Sequence, residues 1–290
     1  MTVPIRVILV NFNAGETISR SVQSVLDSGE PVRITLYDNA STDGSVELIQ
    51  RVFANVDCLE IVEDKENLGV ARAVNAAATV CQEEYILVLN PDCELFPGAL
   101  SSLKKALEND PSAALAGPVV VNGQGAIQRG TLRCFPDPWK SFVTFSGLWR
   151  LEHWMPVFRG VERHQQSISG DPIAAEAVTG ACMLVKRSVF EQLDGLDEGY
   201  GLHCEDLDFM YRLHQEGHHC LLVPTARVSH QQGVSSRSRP AWVHRQKHLG
   251  MQRFFRKFQS KTSSLPLRIL VVVGIWLRYV FTLPAALLRK

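Results

Sequence analysis

Short apolar runs alternate with amphipathic segments over the first 110 residues of the chain. The runs end in turn-forming residues, which is typical of buried strands in a parallel sheet. The segments between them carry apolar residues three and four positions apart, which predicts helices that each bury one face. The pattern predicts strands at 5–10, 32–37, 59–62 and 85–89, and helices at 16–27, 45–53, 70–80 and 98–109.

Strands that alternate with helices build βαβ units and therefore a mostly parallel sheet with helices on both faces. The predicted fold class is α/β, with a single Rossmann-like domain. Residues 122–172 are rich in Gly, Pro, Trp and Phe and show no clean period, so we expect an irregular insertion that faces an acceptor,. Regular structure returns at 177–186, in a helix at 205–216 and in a late strand at 221–228, where Pro224 predicts an edge position.

The C-terminal quarter of the chain differs in charge from the rest. Residues 1–216 contain 17 Lys and Arg against 30 Asp and Glu, whereas residues 217–290 contain 13 Lys and Arg and no acidic residue. One-sided charge favours an anionic partner such as phosphate or lipid headgroups. Nucleic acid is disfavoured because no nucleic-acid-binding motif accompanies the charge. We predict a main domain over 1–240, followed by basic and apolar helices over 241–290 that associate with a membrane.

The last apolar segment, residues 265–288, is long enough for a helix to cross a bilayer,. Arg268 and Arg278 interrupt it, and an arginine near mid-span costs roughly 2.5–3.5 kcal/mol on insertion scales. The preceding basic residues suit anionic headgroups. The sequence therefore favours a helix that lies in the membrane interface over a spanning one. A helix packed on the domain or in a dimer interface is the alternative, and the oligomeric state stays open.

Cysteine usage and the N-terminus bear on the compartment. The seven cysteines are odd in number and form no CxxC pair, which predicts a reducing compartment and no disulfide framework,. The N-terminus has neither the basic start nor the long apolar core of a signal peptide. Together these features predict a cytoplasmic protein.

Polar clusters follow four of the predicted strands. They are Asn11-Phe12-Asn13, Asp38-Asn39-Ala40-Ser41, Asn90-Pro91-Asp92 and His230. A lone aspartate after a strand is usually a turn former or a helix cap. Because the carboxyl ends of parallel strands share one edge of the sheet, all four clusters are expected to line one crevice there.

Seven motifs in a fixed order extend this pattern over residues 4–258. They read VNFNAGETISRSVQSV, DNASTDGS, NLGVARAVNAA, LVLNPDCEL, VTGACMLVKRSVFEQLDGLDE, EDLDFMYRLHQEGH and VSHQQGVSS. In this order they resemble glycosyltransferase family 2, and are most similar to its rhamnosyltransferase-like branch. The resemblance implies a GT-A fold, a nucleotide-diphosphate sugar donor of the dTDP or UDP type, and a divalent metal, Mg²⁺ or Mn²⁺.

The resemblance also implies where the nucleotide sugar binds. Asp38 matches the aspartate that accepts a hydrogen bond from the pyrimidine base, a role that suits a carboxylate. Arg72 is expected to reach the nucleotide, and an exposed helix arginine is the alternative. The nucleotide-sugar-binding residues predicted in this way are Asn11, Asn13, Asp38, Asn67, Arg72, Asn90, Ser235 and Arg237.

Asn90-Pro91-Asp92 matches the family's DxD motif, in which the last aspartate reaches the metal. Mg²⁺ and Mn²⁺ favour oxygen ligands, and Mg²⁺ often uses one or two carboxylates plus substrate phosphates. Asn90 is neutral where the motif usually has an aspartate, so it should bind a hard cation more weakly. By the same resemblance His230 is expected as a second protein ligand of the metal, and a strand-end histidine bonded to a loop is the alternative.

Glu205 and Asp206 open a predicted helix and match the family's ED motif. By this resemblance Asp206 is the base, because an inverting transfer needs a carboxylate that removes the proton of the acceptor hydroxyl. Acidic residues also stabilise the first turn of any helix through its dipole. Glu205, the second predicted catalytic residue, could have only that structural role.

The predicted function is an inverting glycosyltransferase of bacterial cell-surface polysaccharide synthesis. L-rhamnose from dTDP-rhamnose is the first candidate for the donor, and the acceptor is a saccharide on a polyprenyl diphosphate. The predicted location is the cytoplasmic face of the cell membrane, as a peripheral protein. The alternative is a catalytically silent scaffold that binds a nucleotide sugar or docks a membrane complex, which the neutral Asn90 favours.

Overall fold

The computed structural model describes residues 4–162, 168, 170–231 and 239–288. Its strands are β1 (Ile5–Asn11), β2 (Val32–Asp38), β3 (Leu59–Glu63), β4 (Tyr85–Leu89), β5 (Cys93–Leu95), β6 (Ala113–Val121), β7 (Leu132–Arg133), β8 (Ile173–Ala175), β9 (Ala177–Val178), β10 (Cys182–Lys186) and β11 (His219–His230). Its helices are α1 (Thr17–Leu26), α2 (Ser45–Val52), α3 (Val70–Ala78), α4 (Ala99–Asn109), α5 (Pro138–Ser146), α6 (Arg187–Gln192), α7 (Glu205–Gln215), α8 (Pro240–Phe254) and α9 (Leu265–Leu288). The strands and helices predicted before residue 110 are present, and their ends differ from the predicted ones by two residues at most.

A central sheet of nine strands organises the described residues, in the order β3-β2-β1-β4-β10-β6-β11-β5, with β8 also paired to β11. Strands β1 to β4 are mutually parallel, and β11 is parallel to β6. Strand β10 joins the two halves and runs antiparallel to both β4 and β6. The predicted α/β class with a mostly parallel sheet is confirmed.

The order of strands reverses at β1. Strands β2 and β3 lie on one side of β1, and β4 lies on the other side. The loops that follow β1 and β4 therefore separate and leave a crevice beyond the carboxyl ends of the two strands, where open α/β sheets bind their ligands. Leu9 pairs with Leu89 in this register, so the segment from Asn90 onward lies at the crevice.

The prediction that Pro224 marks an edge strand of the sheet is wrong. Strand β11 has β6 on one side and both β5 and β8 on the other, so it is interior. Its register with β6 shifts between Val223 and Arg227, and Pro224 lies within that irregularity. A proline has no N–H to give to a neighbouring strand, and a bulge removes the need for one.

The stretch 122–172 contains a helix, α5, that the sequence pattern did not predict. Asp137 caps it by accepting a hydrogen bond from the Lys140 N–H at 2.7 Å, and Pro138 occupies its first turn. Both are ordinary helix-start signals. The helix exposes Trp139, Phe142 and Phe145. Those exposed rings explain why no buried face was visible in the sequence.

The two C-terminal helices have different environments. Helix α8 packs on the main domain, and its Phe254 belongs to the hydrophobic core. Helix α9 packs on α8, with the rings of His244 and Tyr279 stacked at 5.2 Å and the Trp276 indole donating to Gln252 Oε1 at 3.1 Å. Among the described residues, α9 is the one helix long and apolar enough to cross a membrane.

Candidate active site

A large cavity of about 2200 Å³ opens at the crevice and extends to the C-terminal helices. Its walls come from the loops after β1, β2 and β4, from the start of α7, and from α5, α8 and α9. A pocket for one drug-sized ligand usually measures about 300–1,000 Å³. The cavity therefore has room for two substrates side by side.

Asp92 and His230 lie together on the cavity wall. Strand β5 pairs with β11 and sets Cys93 opposite His230, and the Gln231 N–H donates to the Asp92 carbonyl at 3.0 Å. As a result Asp92 Oδ1 and His230 Nε2 are 3.2 Å apart, and the two side chains are only 9% and 12% exposed. The structure brings together the two residues predicted to hold a metal.

The Asp92 carboxylate suits Mg²⁺ or Mn²⁺, and His230 can add a nitrogen ligand, which Mg²⁺ accepts less readily than oxygen. Asp92 offers a hard carboxylate oxygen and His230 an imidazole nitrogen on the same wall,. The adjacent Cys93 belongs to the hydrophobic core, and burial raises the pKa of its thiol well above the usual range. Two protein ligands leave most of an octahedral shell to phosphate oxygens and water. The residues present therefore fit a metal that is shared with a diphosphate.

Glu205 and Asp206 open α7 and line the same cavity. The residues just before the helix, His203 and Cys204, have φ values of 68° and 72°. Non-glycine residues seldom adopt this left-handed conformation. Helix α8 supports the turn closely, since a Cβ added to Gly250 would be 2.8 Å from the His203 carbonyl. The strained turn thus directs the first residues of α7 toward the cavity.

Arg133 keeps Asp206 ionised. Its Nη2 donates to Asp206 Oδ2 at 2.6 Å, and its guanidinium also bonds the Val178 carbonyl. Burial alone would raise the pKa of Asp206, but the charge of Arg133 outweighs burial and lowers that pKa below its usual value. A charged carboxylate is the form that can accept a proton from a substrate.

Glu205 has the opposite character. Burial, and then the neighbouring charge of Asp206, raise its pKa to about 8. Its Oε2 atom is buried and has no hydrogen-bond partner within the described ranges. Glu205 is therefore mostly protonated at neutral pH, and Glu205 and Asp206 together carry about one negative charge. Neighbouring carboxyl groups whose pKa values are driven apart are typical of acid–base sites.

This pKa predicts how stability depends on pH. Folding raises the pKa of Glu205 from about 4.5, so its protonated form stabilises the fold below pH 4.5 and this contribution is lost as the pH rises through about 8,. Glu205→Gln keeps a neutral side chain at every pH. We expect its melting temperature to exceed that of the wild type by several degrees at pH 8.5 and to match it at pH 5.

Differential scanning calorimetry at the two pH values measures this difference. Glu47→Gln, on the exposed face of α2, is the control and should shift the melting temperature equally at both. An equal shift for Glu205→Gln at pH 5 and pH 8.5 would contradict the raised pKa.

Gly180 lies against the candidate base. A Cβ at this position would be 2.4 Å from Asp206 Oδ2 and 2.7 Å from its Cγ, so the carboxylate must move if a methyl group is added. A displacement of about 1 Å in a reacting group can cost roughly 10²-fold in rate. We therefore expect Gly180→Ala to lower turnover by about 10- to 100-fold, measured by steady-state kinetics. Gly123→Ala has no atom within 4 Å of the added carbon and is the control.

Retention of full turnover in Gly180→Ala, with the variant folded, would show that the position of Asp206 is not critical.

Part of the predicted nucleotide site also lines the cavity. Asn67 lines it, and its Oδ1 accepts from the Gly69 N–H at 2.9 Å. Asn90 also lines it, with its N–H donating to the Ala181 carbonyl at 2.9 Å. Asn39, which belongs to the polar cluster after β2 but was not among the predicted nucleotide-binding residues, shares this wall. These three asparagines present neutral polar groups at the crevice.

Asn11 and Asp38 lie behind the wall. They are 0% and 3% exposed, and neither is among the described residues that line the cavity. Asn11 Nδ2 donates to Asp38 Oδ1 at 2.7 Å, and the Ser41 N–H donates to Asp38 Oδ2 at 2.8 Å. In the structure they join the loops that follow β1 and β2.

The remaining nucleotide-site predictions lie away from the wall or outside the described residues. Asn13 accepts from the Thr42 N–H at 2.8 Å and so joins the same two loops. The Arg72 Nε lies 3.4 Å from Glu198 Oε2 in an exposed ion pair. Neither is among the described residues that line the cavity. Ser235 and Arg237 fall in residues 232–238, outside the described residues.

Sequence reasoning missed Arg133. The residue lies in the stretch predicted to be irregular, and its partner Asp206 is 73 positions away. A short strand, β7, places it by pairing with β9. No local sequence signal marks such a contact, because it depends on tertiary structure alone.

Comparison with known proteins gives the following matches. The family model described as Glycosyl transferase family 2 matches residues 6–194. An N-acetylglucosaminyl-diphospho-decaprenol L-rhamnosyltransferase of Mycobacterium tuberculosis is 28% identical, over 83% of this chain and 80% of its own length. The polypeptide N-acetylgalactosaminyltransferase 6 of Bos taurus is 24% identical, over 77% of this chain and 36% of its own.

Two solved structures have a similar fold. GalNAc-T7 with UDP, GalNAc and Mn²⁺ has a TM-score of 0.61 at 17% identity, over 95% of this chain and 55% of that one. The mannosyltransferase PcManGT of Pyrobaculum calidifontis, in complex with GDP-Man and Mn²⁺, has a TM-score of 0.60 at 17% identity, over 99% of this chain and 73% of that one. The expected GT-A fold is confirmed by these neighbours.

Proposed function

We propose, since this chain belongs to glycosyl transferase family 2, that its cavity transfers a sugar with inversion from a nucleoside diphosphate to a saccharide on a polyprenyl diphosphate. The observation that supports this is the placement of two pairs of functional side chains on one cavity. The pair Asp92 and His230 suits a metal and a diphosphate, and the pair Glu205 and Asp206 suits the removal of a proton.

Asp206 is the base in this proposal. The acceptor hydroxyl oxygen attacks the anomeric carbon, and a new C–O bond forms as the bond from that carbon to the donor diphosphate breaks. The electron pair leaves with the diphosphate, and the hydroxyl proton passes to Asp206. Arg133 holds the carboxylate ionised and fixed before the transfer. Glu205, protonated beside it, keeps a second negative charge away from the base.

Asp92 and His230 would hold Mg²⁺ or Mn²⁺. When bound, such an ion supplies positive charge that offsets the negative charge on the departing diphosphate. Arg239 adds a cation to the wall of the same cavity, and its guanidinium lies 5.6 Å from the centre of the Phe12 ring. Its charge and fork of donors suit phosphate oxygens.

A relative supports the proposed sugar and acceptor. The Mycobacterium tuberculosis relative is, by its name, an L-rhamnosyltransferase that acts on an N-acetylglucosaminyl-diphospho-decaprenol. By likeness to it, the proposed sugar is L-rhamnose and the proposed acceptor an amino sugar on a polyprenyl diphosphate, and dTDP is the nucleotide expected from the sequence resemblance. The solved neighbours carry UDP or GDP-Man, so other nucleotides belong in any test.

Helix α9 supports a location at the inner face of the cell membrane. One side of it carries exposed apolar residues at helical spacing, which are Ile269, Leu270, Val273, Leu277, Val280 and Phe281. Arg268 and Arg278 are half-buried on the other side. A helix with one apolar exposed face, next to a basic segment, suits the headgroup region of an anionic bilayer.

A panel of donors tests the proposal. Purified protein with Mn²⁺ and N-acetylglucosaminyl-diphospho-farnesol would receive dTDP-L-rhamnose, UDP-N-acetylglucosamine or GDP-mannose in separate reactions. Mass spectrometry should show a rhamnosylated lipid and release of dTDP that depends on the acceptor. If none of the three donors yields a glycosylated lipid, the proposed substrates are wrong.

A further inference from the structure

Arg278 lies on the inner side of α9 and lines the cavity. Its Nη1 atom is 3.4 Å from Met251 Sδ and 3.5 Å from His248 Nε2, and its guanidinium lies 5.9 Å from the centre of the Phe145 ring. Within the described ranges, no carboxylate oxygen lies within 4.0 Å of this guanidinium. Arg278 is therefore a half-buried cation without an ion pair in that part of the chain, although the charge of Glu162, which also lines the cavity, acts on it from beyond that distance.

An unpaired cation in such surroundings is costly unless an anion joins it. Burial lowers the pKa of Arg278 below its usual value, which reports the same cost. His248 does not add a second charge, because burial lowers its pKa to about 4. Its Nδ1–H donates to the His244 carbonyl at 2.7 Å in the tautomer that leaves Nε2 as an acceptor toward Arg278. The neutral ring thus orients the guanidinium.

The wall around Arg278 is apolar and continues to the protein surface. Leu270, Leu277 and Phe281 on α9 line the cavity and are also exposed. Phe145 on α5 adds an exposed aromatic ring on the facing wall. A ligand that fits here carries a compact negative group at Arg278 and a long apolar part along α9.

We propose that Arg278 binds the diphosphate of a polyprenyl-diphosphate-linked acceptor, and that the polyprenyl chain lies along α9 toward the surface. This proposal rests on the proposed function. The donor diphosphate would instead lie at Asp92, His230 and Arg239, which line the same cavity. Recognition of the acceptor diphosphate would position the acceptor sugar between those residues and α9, beside Asp206.

Farnesyl diphosphate and farnesol are the probes that test Arg278. Calorimetry is performed with saturating dTDP and Mn²⁺. These ligands occupy the proposed donor site, so the titrated diphosphate reports on a second site. The wild type should bind farnesyl diphosphate more tightly than farnesol. Arg278→Gln should weaken farnesyl diphosphate about tenfold or more and leave farnesol unchanged, because a charge-assisted contact is lost.

Two further variants complete this test. Arg268→Gln removes the other arginine of α9, which bonds the Ser263 carbonyl at 2.8 Å and does not line the cavity among the described residues, so farnesyl diphosphate should bind as to the wild type. Arg278→Lys keeps the charge and should recover part of the affinity. Equal affinity of the wild type and Arg278→Gln for farnesyl diphosphate would overturn the proposal.

Transfer to a lipid-free alkyl glycoside separates this proposal from the proposed function. If the protein transfers sugar but Arg278→Gln does not weaken the binding of farnesyl diphosphate, the Arg278 site alone is wrong. If Arg278→Gln does weaken that binding but the wild type transfers sugar to no acceptor, the proposed function alone is wrong.

Discussion

Replacing Asp206 with asparagine should lower the rate of sugar transfer about 10²–10⁴-fold and leave the affinity for the donor nearly unchanged. The reason is that the amide cannot take the proton of the acceptor hydroxyl, although its size and its position against Gly180 are preserved. The residues proposed to bind the donor, among them Asn67 and Asp92, are not altered by the substitution. Steady-state rates of product formation and calorimetry with the donor nucleotide measure the two quantities.

Glu205→Gln is the matched comparison. Glu205 is mostly protonated at neutral pH, so a neutral amide resembles its native state and the rate should fall less than about tenfold. Both variants change one carboxyl group to an amide of similar size at the same helix start. Undiminished turnover in Asp206→Asn, or a larger loss in Glu205→Gln, would contradict the assignment of Asp206 as the base.

Replacing Asp92 with alanine should lower the rate about 10²–10³-fold, since the site would lose its carboxylate ligand and the positive charge opposite the leaving diphosphate. The neutral Asn90 does not restore that ligand. The wild-type protein should also bind Mn²⁺ weakly without the donor, because two protein ligands complete only part of the shell,. Titration of Mn²⁺ by electron paramagnetic resonance, with and without dTDP, measures both effects.

His230→Ala is the companion variant for the metal site. It should weaken Mn²⁺ binding in the presence of dTDP, as Asp92→Ala does, because the two side chains act on one ion. Tight binding of Mn²⁺ to the protein alone, lost in His230→Ala and kept in Asp92→Ala, would place the metal elsewhere.

Local sequence signals predicted the first half of the fold because each strand and helix there is defined by its own periodicity. Ile18, Val22 and Val25 bury one face of α1, as their spacing predicted. The prediction for Pro224 was wrong because a proline in a strand can be accommodated either at a sheet edge or at a bulge. The order of the strands decides which of the two applies. That order is set by pairing between distant strands, which a local pattern does not contain.

The sequence likewise predicted some residues of the candidate site and missed others. Asp92 and His230 were predicted together because each directly follows or ends a strand on one edge of the sheet. Arg133 was missed because its role depends on a contact with Asp206 across 73 positions. Asn11 and Asp38 were placed at the correct strand ends, but the sequence did not indicate that they bond each other behind the wall. Side-chain direction at a strand end depends on the neighbouring loops.

The anomeric configuration of the product tests the central claim most directly. In our account a single displacement occurs at the anomeric carbon, with Asp206 as base and no covalent intermediate on the protein. Nuclear magnetic resonance of the product made by the wild-type enzyme should therefore show the anomeric configuration opposite to that of the donor sugar. Retention of the donor's configuration would contradict the account, because a single displacement from the face opposite the leaving group inverts the anomeric carbon.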